Sequence, residues 1–549
     1  MRKIDELITK MSFGFSIPGL LLATLFFAFS LTPSLVPRPF SFQGVISGLS
    51  FAAGYALGVF GRWFWDYVEL PLPGRDATRI FRIVASGVCS IVAIAFLWQT
   101  SQWQDDLRSM MGMEPEGAMP SYGIALMTAL VFGALIQFAR LFRRTFQFLS
   151  LKLARYLSDH VAHAISILAA GILFWSVIDG VVVSLFLRAT NNSYQQLDAL
   201  IQDDLERPDD PMKTGSEASL IAWSDLGRQG RKFMSSGPTA QMLSDFFGEP
   251  VPEPVRIYVG LNAADTPEER AELALQELIR VNAFDRSVLL LVTPTGTGWI
   301  DPAALDTVEY LHRGDIATVT AQYSYLPSAL SLITEGEYGA EMARALFEKV
   351  YVYWTNLPRD HRPKLYLHGL SLGALNSDRS FDVYDIIQDP FDGALWSGPP
   401  FRSETWRKVT QERDPDSPVW LPRFRDGAVV RFMNQYTGLN DDNTPWGSFR
   451  IAYLQYASDP ITFFDSHAFF REPEWMQAPR GPDVSPHLRW YPVVTMLQLA
   501  ADMAVGSTPP GFGHIFAAKH YIDAWLALTE PKGWTEERLN RLRALFDGR

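Results

Sequence analysis

The sequence predicts two bodies in series: an α-helical transmembrane bundle of about five spans, then an α/β domain on a doubly wound, mostly parallel sheet. Three observations carry this reading. Five long apolar stretches crowd the first third of the chain. From Val255 onward, short apolar strand-like runs alternate with helix-length runs. Charge also changes along the chain: residues 1–187 hold 14 Lys+Arg against 11 Asp+Glu, and the rest holds 34 against 49. At 549 residues the chain is long enough for several domains. We divide it into a transmembrane domain (1–187), a polar linker or subdomain (188–253) and an α/β domain (254–549). An acidic C-terminal part argues against a nucleic-acid partner.

The spans are Phe13 to Val36, Ser41 to Gly61, Ile80 to Trp98, Tyr122 to Phe138 and Ala162 to Leu187. Most approach the roughly 20 residues that cross a bilayer. The first is not read as a signal peptide, because it is long, contains Pro18 and Pro33, and lacks a small-residue cleavage site. Basic residues before and between the spans number 3, 1, 4, 1 and 5 in order, counting Arg82 at the start of the third span with the loop before it. Positive-inside insertion produces this alternation, with the N-terminus cytoplasmic and everything after Leu187 outside. The run Arg62-Trp63-Phe64-Trp65-Asp66-Tyr67 reads as an aromatic belt, and Asp179 as a helix-to-helix hydrogen-bonding group. Cys89, the single cysteine, lies in the third span, so the outer domain has no disulfide.

The polar region after Arg188 carries an acidic run, Asp203, Asp204, Glu206, Asp209 and Asp210. Strands are expected at Val255 to Val259, Val288 to Val292, Ala317 to Ala321, Leu365 to Leu367, Gly393 to Trp396, Val429 to Phe432 and Ile451 to Tyr456. Helices fall between them, notably Pro267 to Val281 and Tyr338 to Trp354.

The stretch Lys364 to Ala374, KLYLHGLSLGA, is the chemical centre. It has the form G-x-S-x-G at the junction of a strand and a helix. Only small residues two positions either side of Ser371 let strand and helix approach closely enough to push the hydroxyl clear of the sheet. A serine hydroxyl needs an imidazole to take its proton, and the imidazole needs a carboxylate to fix its tautomer. In nucleophile-elbow folds these follow in the order Ser, acid, His. Asp459 ends the strand Arg450 to Tyr456 at a turn and is the expected acid. His514, between Gly513 and a final helix, is the expected base, with His520 in reserve. His368 is expected to be packed rather than catalytic.

After the strand Leu289-Leu290-Leu291-Val292 comes Thr293-Pro294-Thr295-Gly296-Thr297-Gly298-Trp299. This small-residue loop is expected to supply an oxyanion donor from Gly296 or Thr297, with the Leu372 N–H as the second. A phosphate-cradling loop would end in Gly-Lys-Ser/Thr, which is missing. No catalytic metal and no cofactor are expected.

With these residues assembled, the chain resembles a bacterial family of membrane-anchored α/β-hydrolases with an N-terminal multi-span region. The resemblance rests on the spans, Tyr258-Val259-Gly260-Leu261, the Thr293 to Trp299 loop, Tyr323-Ser324-Tyr325-Leu326-Pro327-Ser328, the Ser371 elbow, Ser458-Asp459-Pro460 and the glycine-flanked His514. It implies an α/β-hydrolase domain and the triad Ser371, Asp459 and His514. Between Asp459 and His514, where the superfamily has a strand, the sequence shows only an apolar helix, Val493 to Ala504. The expected protein is a serine esterase of the bacterial inner membrane with its catalytic domain periplasmic or extracellular. Its substrate would be an ester of a lipid or acylated envelope component. An acyltransferase, or a non-catalytic envelope scaffold of the same fold, is the alternative. Leu326, Leu330, Leu332 and Ile333, and Trp490, Tyr491, Val493, Val494, Met496, Leu497 and Leu499, are expected to form either core or a pocket or lid for an acyl chain.

Overall fold

The computed structural model describes residues 15–71, 74–117, 120–176, 198, 205–328, 331, 337–440, 444–504 and 508–548. Asp179, the end of the fifth apolar stretch, Asp203, Asp204, Leu330, Leu332 and Ile333 lie outside these residues. The chain forms two compact units: Met1–Phe186 with Phe464–Pro509, and Leu187–Phe463 with Pro510–Arg549.

The first unit holds helices α1 (Ile17–Ser30), α2 (Phe40–Tyr67), α3 (Arg75–Met110), α4 (Ser121–Leu153) and α5 (Asp159–Ser176), one on each apolar stretch. Among the described residues four of them, α2 to α5, are long and apolar enough to cross a membrane. The described part of α1 has 14 residues, about 21 Å at ~1.5 Å per residue. It stops at Ser30 rather than Val36, because Pro33 and Pro37 cannot continue a helical ladder. α1 still runs antiparallel along α2, with Pro18 level with Gly58 and Ser30 Oγ donating to Ser47 Oγ at 2.9 Å.

Glycines make these contacts close. A Cβ on Gly54 would lie 2.5 Å from Leu22 O, and one on Gly58 2.4 Å from Pro18 O. Nearer the start of α2, Gly44 and Gly48 instead receive the side chains of Met127 and Val131 of α4, where a Cβ would lie 2.5 and 2.6 Å from theirs. Lipid tails are as apolar as leucine, so helices in a bilayer associate through such backbone-to-backbone fit rather than through water exclusion.

The segment Phe464–Pro509 also packs in this unit, although the sequence division placed it with the α/β domain. The connection between α1 and α2 is non-helical and buried from Leu31 to Arg38, so its backbone needs partners. Asp502 Oδ2 accepts the Leu35 N–H at 3.1 Å, and Gln498 Nε2 donates to Ser30 O and Thr32 O at 3.2 and 2.9 Å. Arg38 Nε lies 3.2 Å from Asp502 Oδ1, with both side chains fully buried. Tyr491 stacks on Phe29 at 3.9 Å, and Val494 and Leu499 are buried. The second half of the expected acyl-chain pocket is therefore, at these residues, packing within the helical unit.

The second unit is a seven-stranded, all-parallel sheet. Its strands are β1 (Val255–Val259), β2 (Val288–Thr293), β3 (Ile316–Ala321), β4 (Lys364–Leu370), β5 (Gly393–Ser397), β6 (Val430–Met433) and β7 (Arg450–Leu454), in the order β1-β3-β2-β4-β5-β7-β6. The seven expected runs are these seven strands. Nearly every strand residue is buried, as both faces are covered by helices. Helices Pro267–Arg280 and Tyr338–Asn356 pair with each other, and Pro302–Leu311 pairs with Ala518–Thr529. The first helix starts where Thr-Pro-Glu-Glu predicts: Thr266 and Glu269 form a capping box, with Pro267 at the first turn. Trp223–Leu226 and Gly227–Ser235 lie against β1, with Gly230 on the Tyr258 ring and Gly260 on Asp225 O.

Candidate active site

Four neighbouring strands end at one level. Thr293 of β2 pairs with Gly369 of β4, Leu370 with Ser397 of β5, and Ser397 with Leu454 of β7. Functional groups at the carboxyl ends of these strands are therefore brought together by the sheet itself.

Ser371 sits between β4 and helix Leu372–Asp378 at φ 56° and ψ −123°, a conformation that costs of order 1–3 kcal/mol for a side-chain-bearing residue. The surrounding contacts impose it. A Cβ on Gly369 would lie 2.4 Å from Gly373 C, and one on Gly373 would lie 2.2 Å from Thr293 O. Ser371 N donates to Ser397 O at 2.9 Å, which ties the turn to β5. The hydroxyl-bearing residue is only 8% exposed.

His514 Nδ1 lies 2.8 Å from Asp459 Oδ2. Asp459 is fully buried, and its Oδ1 accepts the backbone N–H of Ile461 at 2.8 Å and of Thr462 at 3.4 Å. Thr462 Oγ1 donates to Oδ2 at 3.1 Å. A carboxylate surrounded by donors accepts from Nδ1–H, so the lone pair of the neutral ring is on Nε2. That atom is buried and makes no hydrogen bond. The ring is aimed by its loop: Gly513 N donates to Ser458 Oγ at 2.9 Å, and Gln435 Nε2 to Gly511 O at 2.8 Å. Gly398 leaves the space the imidazole fills, since a Cβ there would sit 2.6 Å from His514 Cε1. Ser371 and His514 thus each touch one of the consecutive residues Ser397 and Gly398.

The other histidines are placed differently. His520 is buried, its Nδ1 lies 2.6 Å from Tyr456 Oη, and burial pushes its pKa down to about 4. His368 is buried with Nδ1 2.8 Å from Leu395 O, and burial lowers it to about 4 as well. Both are packed and neutral.

The Thr293 to Trp299 loop is held by residues that sequence reasoning did not single out. Tyr258 Oη donates to Gly298 O at 2.9 Å, and Gln322 Nε2 to Thr297 O at 3.3 Å. Gly296 N donates to Ser328 Oγ at 3.2 Å, so this N–H is already engaged. Leu372 opens its helix, where backbone N–H groups lack intrahelical partners. Leu326 is buried. Tyr258, Ser328 and Ser458 each stand in a motif that carries the family resemblance, and that membership was the available signal. Asp301, which caps helix Pro302–Leu311, is buried, and burial raises its pKa to about 7.

Residues 255–542 match a family described as the alpha/beta-hydrolase family, and residues 31–238 match the N-terminal family that accompanies it. No curated protein and no solved structure matches the chain.

Proposed function

We propose that this chain, which belongs to the alpha/beta-hydrolase family, is a membrane-anchored serine hydrolase that cleaves esters through an acyl-enzyme on Ser371. The observation that carries the reading is the 2.8 Å pairing of His514 Nδ1 with buried Asp459, which leaves Nε2 unprotonated and without a partner. In the proposed reaction His514 Nε2 takes the hydroxyl proton as Ser371 Oγ attacks the carbonyl carbon. The same proton then goes to the departing alcohol as the C–O bond breaks. Water repeats the sequence on the acyl-enzyme and releases the acid. The tetrahedral oxyanion is assigned to the Leu372 and Thr297 N–H groups. Gly296 is a weaker donor candidate, because its N–H is engaged by Ser328.

Anchoring is assigned to the apolar helices. Alternation of basic residues supports a cytoplasmic N-terminus and an α/β unit outside, at the inner membrane of a bacterium. The substrate class, an ester of a lipid or an acylated envelope component, rests on that tether. Reaction with a fluorophosphonate tests the enzyme reading: labelling of the wild-type chain at Ser371, lost in Ser371→Ala, is expected. An unlabelled, folded wild type would favour a non-catalytic scaffold instead. Esters of increasing acyl length, at controlled monomer concentration, test the substrate class. Equal kcat/KM for acetyl and long-chain esters would exclude a lipid.

A further inference from the structure

The loop that follows β2 is a turn closed on itself. Gly298 N donates to Thr295 O at 2.9 Å and Thr295 N to Trp299 O at 3.0 Å, so Gly296 and Thr297 are the central residues of the turn. The bond that closes a turn uses neither N–H of its central residues. Ser328 Oγ takes the N–H of Gly296 at 3.2 Å. The N–H of Thr297 has no acceptor among the described residues, and Thr297 is half-buried between buried Gly296 and Gly298.

Two fully buried side chains hold this turn by its carbonyls. Tyr258, in β1, donates from Oη to Gly298 O at 2.9 Å. Gln322 directly follows β3, and its own N–H donates to Val259 O at 2.8 Å. Its side-chain amide is used at both ends: Nε2 donates to Thr297 O at 3.3 Å and to Ser324 O at 3.0 Å, while Oε1 accepts the Leu261 N–H at 3.3 Å. Gly298, at φ 83°, admits both side chains, since a Cβ there would lie 2.3 Å from Tyr258 Oη and 2.9 Å from Gln322 Cγ. The peptide plane that carries the Thr297 N–H therefore lies between two planes that are held, one through Gly296 N and the other through Thr297 O. Peptide planes are stiff, so little freedom is left to the one between them.

We infer that Tyr258 and Gln322 are positioning residues for the oxyanion site, acting through the turn to hold the Thr297 N–H where negative charge develops. The inference rests on reading Ser371, Asp459 and His514 as the catalytic set and Thr297 as an oxyanion donor. Neither positioning residue touches substrate. A donor fixed in advance needs no reorganisation as the charge forms, and removing one costs about a hundred- to a thousand-fold in kcat. Loosening the turn keeps the donor but misplaces it, so the loss is smaller, roughly ten- to hundred-fold.

The test uses the full chain in lipid nanodiscs, comparing wild type, Ser371→Ala, Tyr258→Phe and Gln322→Glu. Tyr258→Phe removes one donor and keeps the ring. Gln322→Glu sets an oxygen against the Thr297 and Ser324 carbonyls in a side chain of nearly the same shape. Three readouts are taken per folded molecule: the rate of fluorophosphonate labelling at Ser371, kcat and KM for an ester, and Ki for a trifluoromethyl ketone bearing the same acyl chain. On the ketone Ser371 Oγ bonds to the carbonyl carbon, the hydroxyl proton passes to His514, and the carbonyl oxygen becomes an alkoxide. The adduct has no leaving group, so its affinity reports stabilisation of the oxyanion. Labelling and kcat roughly ten- to hundred-fold lower are expected in both variants, with KM little changed and the ketone weakened by a similar factor. A purely structural role would lower the yield of folded protein and leave kcat and ketone affinity per folded molecule at wild-type values. That result overturns the inference, as does a loss confined to KM. If Gln322→Glu does not fold, Tyr258→Phe decides by the same criteria. Failure of wild type to label at Ser371 would instead remove the catalytic reading, which separates the two.

Discussion

Replacing Asp459 by Asn changes one heavy atom at the centre of the site, and the structure says which way the amide must turn. Oδ1 takes two backbone N–H groups, from Ile461 at 2.8 Å and Thr462 at 3.4 Å. Only the amide oxygen can replace it, so the NH2 group takes the place of Oδ2, facing His514 Nδ1 at 2.8 Å and Thr462 Oγ1 at 3.1 Å. Thr462 can rotate its hydroxyl to accept. His514 cannot keep a proton on Nδ1 against a second donor, so the proton moves to Nε2, the atom assigned to receive the one from Ser371. This wrong-tautomer change lowers kcat about ten-thousand-fold in Ser-His-Asp sites, or ~5 kcal/mol of barrier. The shape of the side chain is kept, so the variant should fold with a Tm near that of wild type. The assay is the second-order rate of fluorophosphonate labelling, alongside ester turnover. A folded Asp459→Asn within about ten-fold of wild type, ~1.4 kcal/mol, would refute the tautomer argument and the acid assignment with it.

Ser371→Ala and His514→Ala should each abolish turnover, and the double variant should be little worse than either. His520→Ala should retain most activity per folded molecule, and the reverse ranking of the two histidines would exclude His514 as base. His520 also sets an acid-stability term. Its folded pKa, about 4, lies below the unfolded ~6.5. The neutral ring's contribution is present above pH ~6.5 and is lost as pH falls through about 4, so His520→Gln should flatten unfolding free energy over that window by about 3 kcal/mol. Gly373→Ala forces a methyl to 2.2 Å from Thr293 O and should abolish labelling at Ser371, measured on soluble, folded protein. Reporter fusions at Arg188 and at the C-terminus should be active only for reporters that work outside the cytoplasm. A signal from a cytoplasm-only reporter there would reverse the orientation.

Much of the second unit is legible in the sequence alone. Parallel strands buried on both faces are near-continuous apolar runs, and seven short apolar runs stand in the sequence. The G-x-S-x-G spacing was readable for a steric reason, since the backbone contacts at Gly369 and Gly373 leave no room for a Cβ. Two glycine pairs in α2, Gly44 with Gly48 and Gly54 with Gly58, were equally available as helix-packing signals and went unused. Local pattern also placed the helices of the first unit, but not the end of α1. There the prolines outweighed an apolar run that continues to Val36.

The sequence by itself determined the elements, the elbow and the short list of candidate acid and base residues, because each depends on neighbours in the chain: period, turn chemistry, steric room at a glycine. Tertiary structure alone decided which residues meet. Strand register set Ser397 beside Leu370 and the Ser371 turn, Gly398 left room for the His514 ring, and Ser458 pinned the histidine loop across 55 residues of sequence. The helix Val494–Asp502 was visible as an apolar run, but nothing local in it says that Asp502 pairs with Arg38, across more than four hundred residues. An apolar stripe records that a face is buried and not against what. The partner is chosen by the burial of a charge and of unsatisfied backbone, and these exist only once the α1–α2 connection has folded.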